Sequence, residues 1–349
     1  MASAIIPHPR ALVTLGPHGG AHRVAIRAGL SMAIPLVFLW ATGHLELSLY
    51  TAFGAFTALY GRGHSHLSRL RMQSMAGATL IAAVALGALV ATSDARDALV
   101  VPVVAVAAGC TALLSDALDW HPPGPLFVVF AIAACASVPT VPTTIATAVL
   151  AATCSAALSL AIGAAGSVLP RARRAARTQL RVSFRHALTR PGQASAVARL
   201  VVGVFIAGLI PTISGLGHPY WAMVAVVAAL GGVDAPSRLV RATHRILGTL
   251  LGVGLAAALF ALQLPALATI LVVVVLQMAA ELFIGRNYGV TMVFVTPLAL
   301  CMVELAHSVD GTTLIVDRTV ETILGALVGI ALPLAWHARG SRPSEVSAA

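Results

Sequence analysis

The chain has 349 residues, 58% of them hydrophobic and only 10% charged, with a mean hydropathy of +0.92. A soluble globular domain is roughly a quarter charged. A soluble enzyme is therefore excluded, and so is a disordered or fibrous chain. The formal net charge of +10 would suggest nucleic acid as the partner of a soluble protein. In a chain this apolar it is read instead through the excess of basic residues on the inner side of membrane proteins.

All 22 basic residues are arginine. With the excess of Ala, Val, Leu and Gly, this points to a GC-rich, bacterial coding sequence. The four cysteines, Cys110, Cys135, Cys154 and Cys301, are scattered in apolar runs without a CxxC pair. They read as core thiols. No short apolar region with a small-residue cleavage site precedes the first apolar run, which is expected to be retained.

Apolar runs fall at about 24–43, 47–60, 72–91, 98–114, 124–138 and 143–168, then at 198–216, 219–233, 246–262, 266–284, 288–304 and 314–336. The arginine-rich stretch 170–196 separates the two sets. At about 20 residues per span this fills twelve spans and leaves no sizeable soluble domain. Residues 47–60 and 219–232 would rise only about 21 Å as helices, against about 30 Å of hydrocarbon. They are either re-entrant or spanning, and the arginines arbitrate. With all twelve spanning and the N-terminus inside, 20 of the 22 arginines lie inside, and only Arg96 and Arg318 lie outside. If both short runs fail to cross, that asymmetry is lost. The rule favours twelve spans and cytoplasmic termini.

The two sets repeat. Arg27 precedes the first run as Arg199 precedes the seventh, and Gly43-His44 precedes one short run as Gly217-His218 precedes the other. Arg71 opens the third run as Arg245 opens the ninth, and Asp116 corresponds to Glu281. Internal symmetry with short segments at matching places is a pointer to a transporter and its binding region. The expected organisation is a cytoplasmic tail (1–23), a six-helix membrane repeat (24–169), an arginine-rich linker (170–196), a second six-helix repeat (197–337) and a cytoplasmic tail (338–349). The linker reads as a stop-transfer segment or as an amphipathic helix on anionic lipid.

Ionisable residues inside spans are costly and are functional candidates by default. A proton-coupled carrier needs such a carboxylate or histidine with a proton affinity near ambient pH. The candidates are Glu281, Asp116 and the pair Asp317 and Glu321, four apart on one helix face. Glu281 reads equally well as the ion-pair partner of Arg286 or Arg245, and Glu321 as that of Arg318. For an anionic substrate the cations are Arg245 and Arg318, with snorkelling anchors as the alternative. Tyr220 and Trp221, after His218, suit either an interfacial belt or an aromatic stacking surface. The ninth run reads Arg245-xxx-Thr249-xx-Gly252, and the twelfth reads Arg318-xxx-Thr322-xx-Gly325. Gly248 and Gly252, like Gly325 and Gly329, have the spacing of close helix contact in lipid.

Three blocks in the second half resemble the fusaric acid resistance, or aromatic acid exporter, family. They are His218-Pro-Tyr-Trp-Ala-Met-Val-Ala-Val-Val, Arg245-Ile-Leu-Gly-Thr-Leu-Leu-Gly, and Glu281-Leu-Phe-Ile-Gly-Arg-Asn-Tyr-Gly through Thr296-Pro297. The resemblance implies efflux of aromatic carboxylic acids on the proton gradient. It points to Tyr220, Trp221, Arg245, Gly248, Thr249, Gly252, Glu281, Tyr288, Thr296 and Pro297. Many members of the family place a large cytosolic domain between the halves, where this chain has about 27 residues.

The reading is an all-α polytopic membrane protein of about twelve transmembrane helices in two parallel six-helix repeats, in a bacterial plasma membrane. It is expected to export small organic acids, not to be an enzyme, and to need neither cofactor nor metal. The chain has no GxxxxGK[ST] phosphate loop. Its expected partners are a small organic anion, protons and lipid, with no nucleic acid; a homo-oligomer stays open. Two alternatives remain: a membrane scaffold or assembly protein, and a lipid-modifying enzyme resting on Asp116-xx-Asp119 with His121.

Overall fold

The computed structural model describes residues 10–138, 140–165, 182–232, 234–306 and 310–340. Helix is the only regular structure among the described residues. Each of the twelve apolar runs is a helix: α1 (Ala21–Thr42), α2 (Ser48–Ala55), α3 (His66–Ala91), α4 (Arg96–Ala117), α5 (Leu126–Ser137), α6 (Pro142–Ala165), α7 (Gln193–Ile213), α8 (Tyr220–Leu230), α9 (Ala235–Ala261), α10 (Ala266–Phe283), α11 (Tyr288–Ala306) and α12 (Gly311–Gly340). Short helical pieces at Arg10–Val13, Leu45–Leu47, Phe56–Leu59 and Phe184–Thr189 are the other helical segments among the described residues. Residues 170–181 of the arginine-rich stretch lie outside the described residues, while Arg185 and Arg190 are exposed.

Among the described residues nine helices are long and apolar enough to cross a membrane, and α2, α5 and α8 are shorter. At 1.5 Å per residue, α5 and α8 rise only about 18 and 16 Å. The shortness of α5 was not expected from its 15-residue apolar run. Pro125 stands just before its first residue, and the run's last residue, Val138, is extended. These short helices occupy the interior. Every residue of α2 is buried, as are residues 220–229 of α8. The long helices turn leucines and isoleucines outward, as Ile26, Leu30, Ile34 and Phe38 on α1 and Leu247, Leu250 and Leu251 on α9 do. Such an apolar outer face belongs in lipid, where backbone polar groups need partners within the protein.

Ends of short helices inside the apolar layer leave carbonyls without helical partners. Arginines supply those partners. Past the C-terminus of α2, Arg27 donates to the Ala58 carbonyl at 2.9 and 3.2 Å, and Gln73 donates to the Tyr60 carbonyl at 3.2 Å. At the end of α8, Arg241 donates to the Ala228 carbonyl at 3.0 Å and Arg238 to the Gly232 carbonyl at 3.1 Å. A cation at a helix C-terminus also offsets the negative end of the helix dipole.

Helix α2 packs on α6 and α3 on α5; likewise α8 packs on α12 and α9 on α11. Across the boundary, α1 lies along α10 and α4 along α7. Glycine makes the close approaches. A Cβ on Gly54 would strike the Ala152 carbonyl, one on Gly87 the Ile132 carbonyl, one on Gly248 the Gly289 carbonyl, and one on Gly325 the Ala222 carbonyl. Gly252 abuts Thr296, and Gly329 abuts Ala229. Without hydrophobic force between helices in lipid, such backbone contact is a main source of association.

At the arginine-rich end, the segment before α1 lies against the first half of α9 and the turn between α10 and α11. The Asn287 amide donates to the Leu12 and Thr14 carbonyls at 3.1 and 3.2 Å. Gly16 and Arg286 exchange hydrogen bonds of 2.9 and 3.0 Å.

Candidate functional site

A cavity of about 310 Å³ lies between the two sets of helices, toward the arginine-poor end. Its walls are Met32 of α1, Phe53 of α2 and Phe56 just past its end, Phe130 and Ala134 of α5, residues 217, 218 and 220 around the start of α8, and Leu298, Met302 and Val303 of α11. Phe130 joins the aromatic wall: its ring lies 5.1 Å from Phe53, 6.0 Å from Tyr220 and 5.4 Å from Trp221. The first of these is edge-on, at 87°, an arrangement that aromatic quadrupoles favour. A space of this size lined by rings fits a small aromatic molecule.

His218 is the basic side chain on this lining. The short segment between α7 and α8 places it. Gly215 takes a left-handed φ of 72°. A Cβ on Gly217 would come 2.9 Å from Asp317 Oδ2, so glycine is what allows the chain to pass so near α12. His218 Nδ1 then sits 2.7 Å from Asp317 Oδ2, and its backbone N–H donates to Glu321 Oε1 at 3.1 Å. Both carboxylates are buried, at 5% and 0% exposure. His218 thus stands between an apolar cavity and a buried carboxylate pair. The 3.6-residue period puts Asp317 and Glu321 on one face of α12.

Arg318 does not pair with Glu321. Its guanidinium carbon stands 4.1 Å over the Trp221 ring, with the side chain 1% exposed. Arg245 donates to the Tyr288 hydroxyl at 2.9 Å, and Arg241 covers the same ring at 4.7 Å. Neither Arg245 nor Arg318 lines the cavity. Thr249 is buried one turn beyond Arg245 on α9.

Glu281 meets neither Arg286 nor Arg245. It pairs with Arg62, from the turn between α2 and α3, at 2.5 Å, and Arg62 also donates to the Glu281 carbonyl at 3.2 Å. Arg27 adds a second positive charge nearby. This pair lies at the arginine-rich end and bridges the two sets of helices. Asp116 stands apart: exposed at the end of α4, it accepts from the Gln193 amide at 2.7 Å. Asp119 and His121 do not join it. His121 Nδ1 lies 3.0 Å from the Asp119 carbonyl, and its ring is 5.1 Å from that of His64. In the turn between α2 and α3, outside the helices, burial and the nearby His121 hold the proton affinity of His64 below the ordinary histidine value.

Two functional candidates escaped the sequence reading. Arg62 lies 219 positions from its partner, and His218 was read only as a repeat landmark. The signal for His218 was the repeated Gly-His; its counterpart, His44, bonds Glu46 at 3.0 Å on the surface.

Comparison with known proteins agrees with the resemblance carried by the three blocks. Residues 204–332, from within α7 into α12, match the family model for fusaric acid resistance protein-like sequences. A curated protein of Bacillus subtilis, described as uncharacterized membrane protein YvaC, is 27% identical over 128 residues, which are 36% of this chain and 20% of that protein. A protein of Escherichia coli, described as uncharacterized protein YhfK, is 28% identical over 130 residues, 37% of this chain and 18% of that protein. The aligned part thus amounts to about a fifth of the length of these relatives. No solved structure matches.

Proposed function

We propose that this chain is a secondary transporter that exports small aromatic organic acids across a bacterial plasma membrane, driven by the proton gradient. The observation that carries the reading is the aromatic cavity between the two sets of helices, with His218 on its wall and Asp317 and Glu321 behind it. An aromatic ring fits among Phe53, Phe56, Phe130 and Tyr220. A carboxylate at the same end meets the His218 imidazole, which attracts it when protonated. The Asp317–Glu321 pair stores or supplies that proton. The family match and the many apolar helices support membrane transport as the general activity.

The twelve helices are two six-helix repeats, each spanning as a unit, with both termini cytoplasmic. Exchanging the first six for the last six maps the α2–α6 and α3–α5 pairs onto α8–α12 and α9–α11, and α1–α10 onto α7–α4. One glycine contact corresponds as well: Gly87 of α3 abuts the Ile132 carbonyl of α5, and Gly248 of α9 abuts the Gly289 carbonyl of α11. Opening at the arginine-rich end requires the Glu281–Arg62 pair to part, and protonation of Glu281 releases it. Efflux of labelled aromatic acids from a bacterium lacking its own exporters tests the reading. Wild type exports the acid, and His218→Ala accumulates it while remaining in the membrane. Equal efflux from both strains contradicts the role of the cavity.

A further inference from the structure

We propose that the last six helices hold a small anion in a second, enclosed site, between Arg245 and Arg318. The matching Arg-xxx-Thr-xx-Gly segments of α9 and α12 carry it. These helices pack together, with Gly311 at the start of α12 against Phe260 at the end of α9 and Ala242 clustered with Ala326, so they run antiparallel and the two segments approach the middle of the bundle from opposite ends. Arg245 stands about 15 Å along α9 and Arg318 about 10 Å along α12, counted from each helix start. One turn further into the bundle from each arginine stand Thr249 and Thr322, and Thr296 of α11 abuts Gly252 on the same stretch of α9.

All five side chains are at least 97% buried, and the charge of Arg245 acts directly on Arg318. Arg245 Nε, Arg318 Nε and Nη1, and the hydroxyls of Thr249, Thr296 and Thr322 have no hydrogen-bond partner within the protein. Nearby, Glu321 Oε2 is also without one, and its other oxygen is engaged by the His218 backbone. Buried donors without acceptors are expensive. Here three of the groups are arginine N–H donors and three are hydroxyls free to donate, with two positive charges, and Asp317 is already matched to His218. A donor-rich, cationic, enclosed site calls for an anion, either a halide or the carboxylate head of an organic acid. None of the five residues lines the aromatic cavity, and the site does not depend on the transport reading.

Trp221, stacked on Arg318, is a built-in reporter. The purified full-length chain in detergent is titrated with bromide against gluconate at constant ionic strength, while tryptophan emission is followed. Bromide should quench saturably, and Trp221→Phe should remove the saturable part. A charge-assisted hydrogen bond of about 1.5–3 kcal/mol corresponds to at least about tenfold weaker binding in Arg318→Gln. Thr322→Val keeps both charges and should weaken binding several-fold, which holds the test open if Arg318→Gln fails to fold; Arg185→Gln should change nothing. Benzoate that displaces bromide identifies a carboxylate head as an occupant, and benzoate without effect identifies a halide site; either supports the proposal. Purely collisional quenching, or saturation that survives both Arg318→Gln and Thr322→Val, overturns it.

Discussion

Glu281 on α10 and Arg62 ahead of α3 form an ion pair of 2.5 Å that fastens the last six helices to the first six. The carboxylate is 9% exposed and the guanidinium 32%, so losing either partner leaves a largely buried charge unmatched. Arg62→Gln is expected to cost about 1–3 kcal/mol, less than the roughly 3–5 kcal/mol of a fully buried pair, because the arginine reaches solvent. Glu281→Gln combined with Arg62→Gln should recover part of that loss, as read from melting temperatures in detergent. Loss in the double variant equal to the sum of the singles would show that the two residues do not interact.

Glu281→Gln should also uncouple transport from pH while the protein stays folded. The variant lacks the protonation step that parts the pair. Efflux rates measured across external pH should flatten relative to wild type; a retained pH profile removes Glu281 from the coupling role.

Phe130 holds the aromatic wall together through Phe53, Tyr220 and Trp221. Aromatic pairs are worth about 0.5–1.5 kcal/mol beyond burial. Phe130→Leu should therefore raise the apparent KM for an aromatic acid roughly two- to tenfold, with little change for an aliphatic acid of similar size. Equal effects on both substrates would mean that the rings do not select the cargo.

The helix pattern was legible in the sequence because each apolar run becomes a helix, and α2 and α8 were short in the sequence as in the structure. The truncation of α5 is encoded at its flanks rather than in its apolar run: Pro125 precedes its first residue, and Val138 stands before Pro139, a place where extended backbone is favoured over helix. Asp317 and Glu321 were legible as charges on an apolar helix. Their partner His218 was not, because 99 positions separate it from Asp317 and only the turn geometry at Gly215 and Gly217 brings them together. The expected pairing of Glu321 with Arg318 gave way to a cation resting on Trp221, a contact that local sequence spacing does not encode.

Gly248 and Gly325 mark the contacts of α9 with α11 and of α12 with α8. A side chain at either place must push two backbones apart, and overpacking of this kind costs about 1–3 kcal/mol. Gly248→Val and Gly325→Val should each lower the melting temperature and the membrane yield. Gly254→Ala should not, since a Cβ there meets nothing within 4 Å.

Asp310 caps α12 by accepting from the Thr313 N–H at 2.8 Å and its hydroxyl at 2.9 Å. These bonds hold its proton affinity below the ordinary aspartate value. Its stabilisation is therefore complete above the unfolded-state pKa and fades as pH falls through the lower folded value. Asp310→Ala should destabilise the protein at neutral pH, and the difference from wild type should close only in strong acid. A gap that stays constant down to that range would exclude the carboxylate as the cap.

Reconstituted vesicles with an imposed pH gradient test the central claim most directly. Uptake of a labelled aromatic acid is followed with and without an uncoupler, for wild type and His218→Ala. Gradient-dependent movement, abolished by the uncoupler and lost in the variant, is the predicted result. Vesicles that contain folded protein and move no organic acid under either gradient direction would contradict transport and favour a scaffold role in the membrane.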